Sequence, residues 1–97
     1  MADTGSVRDN KALHRFELDA DGHVAFVTYR MGKNVITLVH TEVPKALSGK
    51  GIGSRLVRGT LDLVRAAGLK LVPVCPFVAA YIEKHPEYRD LVAGKAH

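Results

Sequence analysis

Three sets of residues in this chain have types and spacings that can do chemistry. The run Leu47-Ser48-Gly49-Lys50-Gly51-Ile52-Gly53 puts three glycines in five residues just ahead of a helical pattern. Glycines at a strand-to-helix junction let backbone N–H groups converge on an anion, and the helix amino end adds roughly half a positive charge. The run is too short for the dinucleotide fingerprint and lacks the Lys-Ser/Thr ending of a nucleotide P-loop, so a phosphate cradle of another kind is expected. A plain flexible connector is the competing use. Cys75 is the single cysteine. A lone cysteine is most often a small buried hydrophobe, but this one stands at a strand's carboxyl end and just before a helix, where thiols become reactive. His40 and Glu42 share one strand face beside the glycine run. Either can take a proton from an ammonium group, or His40 can activate Cys75. The blander uses are a solvated strand-end charge for Glu42 and a hydrogen-bonded core position for His40.

The whole chain has 97 residues, 46% of them apolar and 25% charged. That is ordinary globular usage for one domain, and it excludes global disorder and low-complexity classes. No apolar run approaches the roughly 18–20 residues of a membrane span, and Met1 to Lys11 lacks the apolar core of a signal peptide, so a soluble cytoplasmic protein is expected. One cysteine makes no internal disulfide, and no Cys/His set has zinc spacing, so no metal site is expected. The formal net charge is +4. The surplus is local: Lys45, Lys50, Arg55 and Arg58 lie between Val43 and Leu61 with no acidic residue among them. Such a cluster attracts anions, either nucleic-acid phosphate or a small phosphorylated ligand.

The elements that must position these residues read as follows. Residues 1–11 are polar and unpatterned, a flexible tail, which leaves 12–97 as the single domain. Leu13 to Leu18 is a first strand, ended by the turn Asp19-Ala20-Asp21-Gly22. His23 to Met31 and Asn34 to Val43 form a hairpin around Gly32-Lys33. Apolar residues on both faces of these two strands predict a sheet covered on both sides. From Ile52 to Ala67 the apolar period becomes helical, with Gly68 as its stop. Leu69 to Val74 is a short strand, and Phe77 to Lys84 a second helix that ends at His85 before Pro86. Tyr88 and Leu91 are the residues through which the remainder can pack. A strand-helix-strand unit needs a crossover, so Asn34–Val43 and Leu69–Val74 are expected to be parallel neighbours with a ligand at their carboxyl ends. Pro73 cannot donate to a ladder and marks either an edge or a place where pairing fails.

Glu42-Val43-Pro44, followed by Leu47-Ser48-Gly49-Lys50-Gly51-Ile52-Gly53-Ser54-Arg55-Leu56-Val57, resembles the coenzyme A diphosphate motif of GCN5-related N-acetyltransferases. With Val72-Pro73-Val74-Cys75-Pro76-Phe77-Val78 and His85-Pro86-Glu87-Tyr88, it resembles the small single-domain YjdJ-like branch, which includes eukaryotic members. The likeness runs from Phe16 to Leu91. It implies a compact α/β fold (an α+β mixed sheet), with antiparallel strands followed by a β-α-β unit whose parallel strands splay apart, and a C-terminal helix. It also implies acetyl-CoA as cofactor, held by Val43, Ser48, Gly49, Lys50, Gly51, Ile52, Gly53 and Ser54. Cys75 would lie beside the acetyl group. Tyr81 resembles the tyrosine that protonates the departing thiolate in many members, although tyrosines more often pack than catalyse. Where the superfamily usually opens its loop with Gln or Arg, this chain has Ser48, which weakens a side-chain contact and leaves the main-chain cradle.

The function expected is therefore N-acetyl transfer from acetyl-CoA to an amine, a small molecule or a flexible peptide. A backbone N–H on the Leu69–Val74 strand would polarise the thioester. The amine would attack directly, with Glu42 or His40 as base, or Cys75 would take the acetyl group first. Two other classes remain open: a basic non-catalytic nucleic-acid-binding module using Lys45, Lys50, Arg55 and Arg58, and an acyl-CoA-binding sensor without transfer. With no Trp, three Tyr and three Phe, the chain lacks an evident stacking ladder for single strands. Oligomeric state is left open, and a monomer is compatible with the chain.

Overall fold

A computed structural model describes residues 6–93. The elements are β1 (Arg8–Asn10), β2 (Arg15–Ala20), β3 (His23–Met31), β4 (Val35–Glu42), α1 (Ile52–Ala66), β5 (Lys70–Pro73) and α2 (Pro76–Lys84). Two 3-10 turns flank them, Lys45–Leu47 and Pro86–Leu91. The strands form one sheet in the order β1-β2-β3-β4-β5, antiparallel throughout except for the parallel pair β4–β5.

Local chemistry accounts for most of these boundaries. Ala20 faces His23 across Asp21 and Gly22, which both take positive φ, the two-residue hairpin geometry that matches strand twist. The next hairpin closes one residue later than expected: Gly32 N donates to Val35 O at 2.7 Å, so Lys33 and Asn34 are the central pair, with Asn34 at φ 61. Asn tolerates that region because its short polar side chain bonds locally. Helix α1 ends as its sequence implies, with Leu69 N reaching Val64 O and Gly68 N reaching Arg65 O around a left-handed Gly68. Pro76 at the first helical position, where its missing N–H costs nothing, starts α2.

One hydrophobic core lies between the sheet and the helices. Phe16, Leu18, Ala25, Val27, Ile36, Leu38 and Leu71 from the strands meet Leu56, Val57, Leu61 and Val64 of α1 and Val78 and Ile82 of α2. Each fully buried aliphatic side chain contributes about 1.5–3 kcal/mol of transfer free energy. Tyr88 and Leu91 of the last turn are buried with them.

Two expectations are corrected. The sheet is covered on one face only. Cross-strand partners point the same way, so Arg15, Glu17, Phe26, Thr28, Thr37 and Val72 all lie on the face opposite the core, and all but Glu17 are half-buried or exposed. The sequence misled because Val24, Phe26 and Val35 are apolar yet sit on this outer face. The chain before residue 12 is also not a tail over the described residues: Arg8–Asn10 is a paired strand, and Val7 packs on α1 at Gly59, where a Cβ would overlap it. Residues 1–5 lie outside the described residues.

The feature that most affects the site is in β4. Tyr29 faces Leu38, but Thr28 faces His40, so Val39 is an extra residue in the strand. Before it, Ile36 and Leu38 point into the core. After it, Thr41 shares the face of buried Val27, while His40 and Glu42 share the outer face with Thr28 and Phe26. Straight alternation would have left His40 and Glu42 on the core side.

Thr60, in the middle of α1, is fully buried and its hydroxyl has no partner among the described residues. An unmet buried hydroxyl costs about 1–3 kcal/mol, and its apolar isostere removes that cost. Thr60→Val is therefore expected to raise the unfolding free energy by up to about 1 kcal/mol in urea titration. A loss of stability would mean that the hydroxyl finds a partner.

Candidate functional site

The glycine run leaves Leu47, buried under the sheet end, and enters α1 through two left-handed glycines, Gly49 at φ 77 and Gly51 at φ 71. Gly51 is the residue that caps α1, and with no side chain it caps nothing. The first intrahelical bond is Arg55 N to Gly51 O at 3.1 Å, so the N–H groups of Ile52, Gly53 and Ser54 have no carbonyl within the helix to reach. The first turn carries no acidic residue. Ser48 does not enter this array, because its hydroxyl donates to Lys45 O at 3.1 Å. The Lys50 ammonium is paired with Asp21 at 2.9 Å across an exposed contact. The donors aimed outward are therefore main-chain ones.

Leu47, Ser48, Gly49, Gly51, Ile52, Gly53 and Ser54 line an open cleft of ≈ 290 Å³ together with Val43 and Phe77, and Lys50 is not part of that lining. Gly53 packs closely here: a Cβ would stand 2.9 Å from the tip of the Phe77 ring, which would have to shift, and 3.6 Å from Val43. Val43 of the strand end and Phe77 of α2 thus flank the first turn of α1 from two sides. Phe77 is 44% exposed despite that contact.

Beside the cleft the parallel strands part. Their pairing ends at Leu38 and Pro73; Val74 N folds back to Val72 O, and Cys75 N donates to Leu38 O at 2.9 Å. Both expectations for Pro73 are met at once, since β5 is the edge strand and pairing stops at it. Beyond Leu38, β4 runs on for four residues with β3 on one side only. The Val74 and Cys75 N–H groups are already engaged, and the unpaired edge at this point belongs to β4.

Cys75 caps α2 and is buried, its Sγ 3.2 Å from Thr41 Oγ1. His40 and Glu42 stand on the other face of the sheet, both more than half exposed, with His40 Nε2 2.8 Å from Glu42 Oε1. They are together, as their spacing implies, but the bulge separates them from Cys75, so the structure does not bring His40 to the thiol. Nor is His40 a core residue. Tyr81 lies six residues after Cys75, about 9 Å along the α2 axis. It is half-buried and stacks on His85 with ring centroids 4.1 Å apart. Burial raises its phenol pKa, Arg58 works against that, and Glu87 and Asp62 add to it. It therefore keeps its proton at neutral pH, but Phe77, one turn nearer the helix start, is the α2 residue in the cleft.

Sequence reasoning missed Thr41 and Phe77. Nothing in the local sequence marks Thr41, because its direction depends on the bulge. Phe77 had a signal, a large aromatic directly after Cys75-Pro76 that the apolar period of α2 does not need.

The fold is thus a mixed sheet with helices on one face and an uncapped helix start beside the point where its parallel strand pair opens. The sequence model of the GCN5-related N-acetyl-transferase family matches residues 15–91, and the chain belongs to that family. Protein NATD1 of Gallus gallus is 38% identical over 56 residues, 58% of this chain and 51% of that protein. The matched segment thus spans about half the length of that relative. Protein NATD1 of Danio rerio is 29% identical over 91 residues, 89% of this chain and 83% of that protein. Among solved structures, the NMR structure of a GCN5-like protein from Staphylococcus aureus superposes with a TM-score of 0.70 at 27% identity, covering 99% of this chain and 95% of its own. The mixed-sheet fold expected from the resemblance is thereby established. No helix among the described residues is long and apolar enough to cross a membrane.

Two phenols near α1 and the sheet give a pH signature. Burial, then a hydrogen bond to Asp62 at 2.8 Å, pushes Tyr88 up to about 12; burial and Asp9 do the same for Tyr29. A folded pKa raised above the ordinary value near 10 leaves the stability intact below about pH 10 and removes it as pH climbs towards 12. Unfolding free energy is expected to fall across that window. Phenolate absorbance in the folded protein should show Tyr29 and Tyr88 titrating last, with Tyr81 also above the ordinary value; all three titrating together near pH 10 would contradict the buried placement.

Proposed function

We propose that this protein is an acetyl-CoA-dependent N-acetyltransferase acting on a primary amine. The observation that carries the reading is a coincidence in space: the uncapped amino end of α1, with Gly49 and Gly51 ahead of it, stands at the end of β4, the strand that has lost its β5 partner. A diphosphate fits the first, where N–H groups converge and the first turn of the helix carries no acidic residue. A linear amide-bearing arm fits the second, because an unpaired strand edge offers alternating N–H and C=O groups. Family membership and the 0.70 superposition support the same ligand.

When bound, acetyl-CoA supplies an acyl thioester, a carbonyl activated towards an amine. The main-chain donors of Ile52, Gly53 and Ser54 would hold the diphosphate, with Val43 and Phe77 flanking the entrance. The β4 edge beyond Leu38 supplies the N–H that steadies negative charge on the carbonyl oxygen. His40 and Glu42 supply the base: with Nε2–H donated to Glu42, the imidazole keeps Nδ1 as a lone-pair acceptor for the proton an ammonium must lose. Cys75 is buried beside a hydroxyl, with no base at its sulfur, and this supports direct attack by the amine over an acetyl-cysteine route.

Calorimetry with coenzyme A tests the reading. The chain is expected to bind it saturably, and Gly51→Val, which forces a β-branched residue into φ 71, should weaken binding by about tenfold while circular dichroism stays native. Absence of wild-type binding would sink the proposal, and binding with no turnover on any amine would assign a sensor. For the route, Cys75→Ala is expected to keep turnover within about threefold of wild type, consistent with loss of packing alone. A kinetically competent acetyl adduct on Cys75, seen by mass spectrometry, would reverse that.

A further inference from the structure

A second pocket lies at the opposite end of α1 from the glycine turn, about 22 Å away along a helix of 15 residues. Its volume is ≈ 370 Å³. The strand ends there supply Phe16, Met31 and Ile36, and the last turns of α1 bring Leu63 and Val64 together with Ala66 and Ala67. The two alanines are too short to fill the space between the helix end and the sheet. Phe16, Ile36 and Val64 are no more than 3% exposed, so the pocket is a fissure running down to the core. At its mouth stands Met31, 54% exposed, an unbranched side chain that adapts to what it covers.

Few polar groups are left there to meet a ligand. The two charged lining residues are Asp9 and Lys11. Asp9 is engaged, since the Tyr29 hydroxyl donates to its Oδ1 at 2.6 Å. The helix end is also satisfied: the carbonyls of Leu63, Val64 and Arg65 accept from Ala67 N, Leu69 N and Gly68 N. Lys11 is exposed, and its ammonium has no partner among the described residues. The walls therefore suit an apolar body and the rim one negative charge.

We propose that this pocket is a second binding site, separate from the glycine cleft, for a single-chain amphiphile with an anionic head, of the class of a medium-chain alkyl carboxylate. The chain would enter the fissure between α1 and the strand ends, with its head at Lys11. The proposal does not depend on the N-acetyltransferase reading. The ligand class follows from the lining: ligand sites are mostly apolar cavities with a few placed polar groups, and here the one uncommitted group is a cation. Its size follows from the volume. Such sites span about 300–1,000 Å³, so a pocket at the small end of that range takes one short chain and not a two-chain lipid. Each methylene it covers is worth about fourfold in affinity.

The test is calorimetry on the whole chain with decanoate, octanoate and decyltrimethylammonium, each below its micelle concentration. Decanoate is expected to saturate one site, about tenfold more tightly than octanoate, which is two methylenes shorter. It should also bind about fivefold or more tightly than the cation of equal chain length. Lys11→Glu should weaken decanoate about fivefold by reversing the rim charge. Ala66→Leu, which fills the fissure from an exposed helix position with a strong helix former, should weaken it about tenfold while circular dichroism stays native. Amide resonances of Met31 and Leu69 should shift on titration, and those of Gly49 and Gly51 should not. Lys11→Glu sits outside the core and keeps the test valid if Ala66→Leu fails to fold. No saturable decanoate binding, equal binding of decyltrimethylammonium, decanoate affinity untouched by both variants, or shifts centred on the glycine turn would each overturn the site.

Discussion

The arrangement of this molecule depends on one extra residue in β4. In a strand, side chains alternate with a period of two, so an inserted residue reverses the direction of everything after it. Val39 is that residue. It lets one strand contribute Ile36 and Leu38 to the core, then Thr41 and Val43 to the cleft side, and His40 and Glu42 to the opposite face. Without it, a histidine and a carboxylate would point under the helices, where burying charge costs several kcal/mol unless it is paired.

Pro73 provides the second half of the arrangement. The β4–β5 ladder ends there as Val74 N turns back to Val72 O, and the bond from Cys75 N to Leu38 O anchors the chain before α2 begins. The β4 edge is thereby left without a neighbour beside the point where the main-chain donors of α1 emerge. Packing keeps that point open: Gly53 carries no side chain where the tip of the Phe77 ring stands, so α2 and the first turn of α1 approach closely without filling the cleft. The cleft is thus lined largely by backbone, with the Ser48 hydroxyl turned back to Lys45 O.

Much of this was legible before any coordinates. The hairpin at Asp21-Gly22, the amphipathic run from Ile52 and the stop at Gly68 each follow from a local rule that needs no partner. The glycine run was readable as a turn of special backbone geometry, and φ near +70 at Gly49 and Gly51 is a demand that few other residues meet. Three misreadings share a cause. Residues 8–10 look like tail until β2 pairs with them. Val24, Phe26 and Val35 look like the second buried face of a sheet until no helix is found over them. His40 looks like an activator of Cys75 until the register turns it away.

The sequence by itself determined the element order from β2 onward, the glycine turn into α1 and the types of titratable side chain beside it, since these rest on local periodicity and backbone preference. Tertiary structure alone decided which side of the sheet each of those side chains faces, and that Thr41 and Phe77 join them. Register and close approach are properties of two chain segments together, and a single unpaired residue such as Val39 carries no local mark of the reversal it causes.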